Sequence, residues 1–172
     1  MSRATRRCGA KRTCPIVAPV DDLTQLRLLL SQSEDRANPS AEELRDLLER
    51  ARHIAVIGLS RLPEKPARRV PAYLAAKGYE IVPVNPRADR IFGKQAYSRL
   101  EEVPGPVDIV LIFRPSDQAG AFVRVAAARP ERPAIWLSEG IRADAEIATA
   151  REEGIMAVQD LCAYKVHRAL GE

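Results

Sequence analysis

The sequence has no apolar run near the ~20 residues that a membrane-crossing helix needs. Its three cysteines, Cys8, Cys14 and Cys162, form no C-x-x-C pair. That odd, scattered set excludes a disulfide-framework fold and a structural zinc site, and a reducing cytoplasm suits it best. Its two histidines, His53 and His167, stand far apart and give no metal-ligand spacing. Glycine is sparse where a dinucleotide fingerprint would need three: "IAVIGLSRLPEKPARR" has Gly58 alone. Nor does a second glycine follow Ser60, so a G-x-S-x-G hydrolase elbow is excluded. Acidic residues are missing from positions 1 to 20, which hold Arg3, Arg6, Arg7, Lys11 and Arg12. With 27 basic and 23 acidic residues in the whole chain, the net charge of +4 comes from this leader and the body is near neutral.

What is present describes a soluble α/β protein. A chain of 172 residues with 46% apolar and 29% charged content is enough for one domain with a sizeable core. Residues 1–20 read as a disordered basic leader, 21–52 as N-terminal helices and 53–170 as the main domain. In "NPSAEELRDLLERA" Ser40 and Glu43 have capping-box spacing. "HIAVIGL", "EIVPVNP", "DIVLIF", "AIWLSEG" and "IMAVQD" read as strands. Between them, "ARRVPAYLAAKG", "SDQAGAFVRVAAAR" and "DAEIATAREEG" read as helices, with "LCAYKVHRAL" as the last. Pro71 predicts a late start or a kink in the first of these, and Ser116 is the expected N-cap of the second. Residues 87–107 are less regular. Such alternation predicts a single-domain, Rossmann-like, doubly wound parallel sheet with an N-terminal helical extension.

Ligands of such sheets sit at the carboxyl ends of the strands. After the first strand, Gly58 permits a sharp turn and close approach. Ser60 supplies a hydroxyl, and Arg61, Lys65, Arg68 and Arg69 supply cations. After the second come Asn85, Pro86 and Arg87, where an NAD site would carry an acid. Arg87 suits a ribose phosphate, which leaves NADP and coenzyme A. Phe113, Arg114 and Pro115 follow the third long strand; Glu139, Gly140 and Ile141 follow the fourth. Each feature is also ordinary loop punctuation, and their recurrence at one edge is the signal.

The blocks "IAVIGLSRLPEKPARRVPAYLAAKGYEIVPVNP", "IFGKQAYSRLEEVPGPVDIVLIFRP", "AIWLSEGI" and "DLCAYKVH" resemble the stand-alone CoA-binding-domain proteins of bacteria. Those are related to the CoA-binding domain of the succinyl-CoA synthetase alpha subunit. The resemblance spans about residues 41 to 170 and implies binding of coenzyme A or acyl-CoA, with NADP the weaker alternative. By position it puts Gly58, Ser60 and Arg61 at the pyrophosphate, with Lys65 a further phosphate contact. It puts Asn85, Pro86 and Arg87 at the adenosine 3′-phosphate, and Phe113, Arg114 and Pro115 beside the nucleotide. Glu139, Gly140 and Ile141 fall on the pantetheine side. Leu161, Val166 and Ser138 depart from the family pattern, where arginine, glutamate and glutamine are usual.

No catalytic constellation emerges, so the expected role is binding rather than catalysis. His53 is expected to cap or pack before the first strand, His167 to be a polar surface residue and Cys162 a buried structural thiol. At 100° per residue Cys162 and His167 point about 140° apart, which argues against a nucleophile pair. Alternatives are an NADP-dependent or thiol-dependent CoA-processing enzyme, and a partner or nucleic acid bound through the leader. Nucleic acid is disfavoured, and no membrane association is expected.

Overall fold

The computed structural model describes residues 22–171, so the basic leader with Cys8 and Cys14 lies outside the described residues. The apolar runs become β1 (His53–Ile57) and β2 (Glu80–Val84), then a short antiparallel pair, β3 (Arg90–Ile91) and β4 (Lys94–Gln95). They continue as β5 (Ile109–Ile112), β6 (Ala134–Leu137) and β7 (Ala157–Val158). The helices are α1 (Asp22–Ser31), α2 (Ala41–Arg50), α3 (Pro66–Ala76), α4 (Ser116–Ala127), α5 (Asp144–Glu152) and α6 (Ala163–Ala169). The five long-range strands form a parallel sheet in the order β2-β1-β5-β6-β7. Strand order reverses between β1 and β5, which puts the switch point beside the Gly58 turn.

Alternate residues of each strand enter opposite cores. Ile54 and Val56 pack on one face with Leu26, Leu44 and Leu48 of α1 and α2, Leu74 of α3 and Val166 of α6. Ala55 and Ile57 face the other way, toward Ala119 and Val123 of α4 and Ile147 of α5. The sheet is thus wound on both sides, and the N-terminal helices complete the core of the main domain. Trp136 of β6 is 1% exposed, and its indole N–H donates to the Leu161 carbonyl at 2.7 Å. The capping box forms as expected: the Ser40 hydroxyl accepts from the Glu43 N–H at 3.2 Å, and the Glu43 carboxylate accepts from the Ser40 N–H at 2.8 Å.

Several local expectations are corrected. The helix α3 starts early, with Pro66 in its first turn, and Pro71 lies inside it. Proline removes the N–H that would have bonded the Ala67 carbonyl. The Ser60 N–H takes that carbonyl instead, at 3.1 Å, so the helix continues and the loop is tied to it. Ser116 does not cap α4: Pro115 is the N-cap, and the Ser116 hydroxyl accepts from the Arg142 N–H at 3.0 Å. His53 is the exposed first residue of β1 rather than a residue before it. His167 is buried at 1% exposure, because Tyr73 and Tyr79 enclose it at ring distances of 5.4 and 5.6 Å. The irregular stretch after β2 is the β3–β4 hairpin, which bonds back to β2 through Tyr97.

Candidate functional site

Because the five strands are parallel, all the loops singled out by sequence lie at one edge. Gly58 has φ +81°, and its N–H donates to the Val84 carbonyl at 3.0 Å. A Cβ at this position would stand 2.4 Å from the Phe113 carbonyl oxygen and 3.4 Å from Cδ of Arg114. Only glycine fits, for conformation and for space. The turn therefore joins the ends of β1, β2 and β5, and Arg114 lies against it. Asn85 ties the next loop in: its Nδ2 donates to the Leu59 carbonyl at 2.9 Å, and its Oδ1 accepts from the Arg87 N–H at 2.9 Å. Its side chain is thus occupied in positioning the loop. Ser60 is also engaged, its hydroxyl accepting from the Leu62 N–H at 3.1 Å.

The cations around this turn have a common property. Among the described residues, Arg61, Lys65, Arg69 and Arg87 meet no acidic partner within ion-pair distance. Arg68 instead stacks on Phe92 of the hairpin, 3.8 Å from the ring centre. The Arg114 guanidinium lies 5.8 Å from the Phe122 ring centre. Such a concentration of uncompensated positive charge at a glycine turn favours an anionic ligand.

The loop after β6 is arranged differently. The Glu139 carboxylate accepts from Lys165 at 2.7 Å, and that hydrogen bond raises the Lys165 ammonium above its ordinary range. The Gly140 N–H donates to Asp160 at 2.7 Å, while the Ile141 N–H closes on the Ser138 carbonyl. No hydrogen bond or ion pair among the described residues joins Glu139, Gly140 or Ile141 to the Gly58 turn. Between α3 and α6, beside Glu139, lies a cleft of about 510 Å³, walled by Pro66, Arg69, Val70 and Tyr73 of α3 and by Cys162 and Tyr164 of α6 and its cap. Grooves of about 510 and 770 Å³ also occur between α4 and α5 and beside Arg129, away from this edge. Cys162 is half-buried and lines the cleft, where the sequence suggested a buried structural thiol.

Asp160, Lys165 and Tyr164 escape the sequence reading. Asp160 lies two residues after the last strand, so the rule applied to the other four loops would have found it. Beyond it, Gln159 is 3% exposed and anchors the N-terminal extension. It exchanges two 3.0 Å bonds with Asn38 and donates to Asp35 at 3.0 Å and Asp144 at 2.8 Å. Arg151 also donates to Asp35, at 3.0 Å. Burial pushes the Asp35 carboxyl up, but bonds from Arg151, Ala37 and Gln159 outweigh it and leave the group below its usual range. Asp144 is likewise held low, by its bonds from Arg142 and Gln159.

Residues 52–168 match the family model described as a CoA binding domain. The Bacillus subtilis protein YneT is 36% identical over 130 residues, covering 76% of this chain and 96% of that one. An ADP-forming acetate–CoA ligase of Archaeoglobus fulgidus is 29% identical over 118 residues, 67% of this chain but only 17% of the ligase. A solved structure from Thermus thermophilus superposes with a TM-score of 0.71 at 38% identity, covering 77% of this chain and 99% of that one. One from Pyrococcus horikoshii gives 0.73 at 25% identity, covering 81% and 100%. By the extent of the family match and by its likeness to a small protein over nearly all of that protein's length, this chain is a member of the CoA-binding domain family.

Proposed function

We propose that the protein binds coenzyme A or an acyl-CoA at the carboxyl edge of its sheet, in the cytoplasm, and does so without catalysing a reaction. The observation that carries this reading is the Gly58 turn at the switch point, rimmed by Arg61, Lys65, Arg69 and Arg87 without acidic partners. Gly58 lets the pyrophosphate approach the backbone, and Ser60, Arg61 and Lys65 hold its oxygens. Arg87, in the loop fixed by Asn85 and Pro86, takes the 3′-phosphate. Phe113, Arg114 and Pro115 flank the nucleotide, and the loop of Glu139, Gly140 and Ile141 borders the pantetheine arm. The Ser60 hydroxyl can donate to a ligand oxygen while it accepts from Leu62, but its N–H must first leave the Ala67 carbonyl, so recruiting that N–H costs some affinity.

Micromolar binding, on the order of −8 kcal/mol, is expected. Titration calorimetry with CoA, dephospho-CoA, NADP and NAD tests it. CoA should bind tightest, and dephospho-CoA should lose about tenfold, the strength of one charge-assisted phosphate contact. Heat and thermal shift from NADP with none from CoA would overturn the reading.

A second reading has its own support. The stretch similar to this chain in the Archaeoglobus ligase is part of a protein named for acting on CoA. A CoA-processing activity, alone or with a partner chain, is the alternative. Release of free thiol from acetyl-CoA by the purified protein would favour it.

A further inference from the structure

The cleft between α3 and α6 continues the site away from the phosphates. Its first wall starts at Pro66, one residue after Lys65, so it opens directly beside the cation cluster. Its interior is largely apolar. Val70 is buried in the core, and Tyr73 and Tyr164 meet edge to face with ring centres 4.6 Å apart. The Tyr73 hydroxyl lies 3.1 Å from Nδ1 of His167, which fixes the ring in place. Charge is confined to Arg69 and to Glu139, and Glu139 is already paired with Lys165. A volume of about 510 Å³ falls within the range of small-ligand sites.

We infer that this cleft receives the acyl chain of an uncharged, aliphatic acyl-CoA of short to medium length. The inference rests on the CoA reading above. With the phosphates at the Gly58 turn, the pantetheine arm runs along the first turn of α3 and delivers the thioester to the cleft mouth between Glu139 and Cys162. The chain then lies on the Tyr73–Tyr164 floor. Burying a terminal carboxylate on the Tyr73–Tyr164 floor would cost its hydration, which disfavours an acyl group that ends in a carboxylate.

Calorimetry with CoA and its acetyl, butyryl, hexanoyl and octanoyl thioesters tests this on the full chain. Affinity should rise about two- to fourfold per methylene, the gain expected for partial to full burial, and level off when the cleft is full. Butyryl-CoA should bind more tightly than succinyl-CoA, which has the same chain length. The acyl series should also slow alkylation of Cys162 by iodoacetamide, read by peptide mass, more than CoA does. Ala72→Phe places bulk in the cleft from an incompletely buried position and should abolish the chain-length gain while leaving CoA affinity unchanged. CoA binding with a flat acyl series, or succinyl-CoA binding tighter than butyryl-CoA, overturns this inference and leaves the CoA reading standing. A chain-length gain that survives Ala72→Phe overturns the placement. No binding of CoA or any thioester overturns both.

Discussion

The two ends of one strand edge treat charge in opposite ways. Around β1 and β2, Arg61, Lys65, Arg69 and Arg87 are exposed and have no acidic partner among the described residues. Around β6 and β7, Arg142 bonds Asp144, Lys165 bonds Glu139 and Arg151 bonds Asp35. The glycines differ in the same way. Gly58 and Gly140 have nearly equal φ, +81° and +78°, but a Cβ at Gly58 would strike Phe113 while one at Gly140 meets nothing within 4 Å. One end is tight in space and open in charge; the other is roomy and neutralised. The difference separates a region whose positive charge is left uncompensated from one whose ion pairs and hydrogen bonds tie the fold together.

The sharpest way to break this contrast is Gly58→Ala. The positive φ and the carbonyl contact together should cost about 2–4 kcal/mol of stability, seen as a lower Tm, with CoA binding lost. Gly140→Ala is its control and should cost only about 1 kcal/mol, because φ is the sole penalty. A pair of equal losses would end the distinction between the two turns.

At the neutralised end, Asp35→Asn removes a carboxylate that is 9% exposed and paired with Arg151, and should cost about 2 kcal/mol in urea unfolding. The same group sets a pH effect. Its folded pKa lies below its unfolded value of about 3.9, so its stabilisation is complete above that value and disappears as pH falls through the folded one. Tm should therefore drop as pH falls below about 4, and Asp35→Asn should flatten part of that drop.

At the open end, Arg87→Ala should leave Tm unchanged, since no acid pairs with it, and weaken CoA about tenfold (about 1.4 kcal/mol). It should weaken dephospho-CoA much less. Equal losses for both ligands would mean that Arg87 does not read the 3′-phosphate. The smallest effect belongs to Lys165→Met, which removes an exposed ion pair worth under about 1 kcal/mol and should barely move Tm.

Legibility followed the range of the interactions involved. The strands and the capping box rest on neighbours a few residues apart, and the sequence shows those directly. The parallel order and the carboxyl edge follow from helix–strand alternation, which is why the Gly58, Asn85 and Phe113 loops could be named together. His167 could not be placed, because its burial depends on Tyr73 and Tyr79 of a distant segment. The Gln159 anchor joins residues more than 120 positions apart. Pro71 misled for a similar reason: the carbonyl it leaves without a helical donor is taken by Ser60, outside the helix.

Trp136 gives the molecule a built-in optical probe. It is the chain's single tryptophan, shut away from water, and its indole N–H rests on the Leu161 carbonyl, one residue before Cys162. All indole emission therefore arises from one spot beneath the segment that borders the cleft. A ligand that shifts this segment will change the colour or yield of that emission. Movement of this segment can then be followed in unlabelled protein on a stopped-flow timescale.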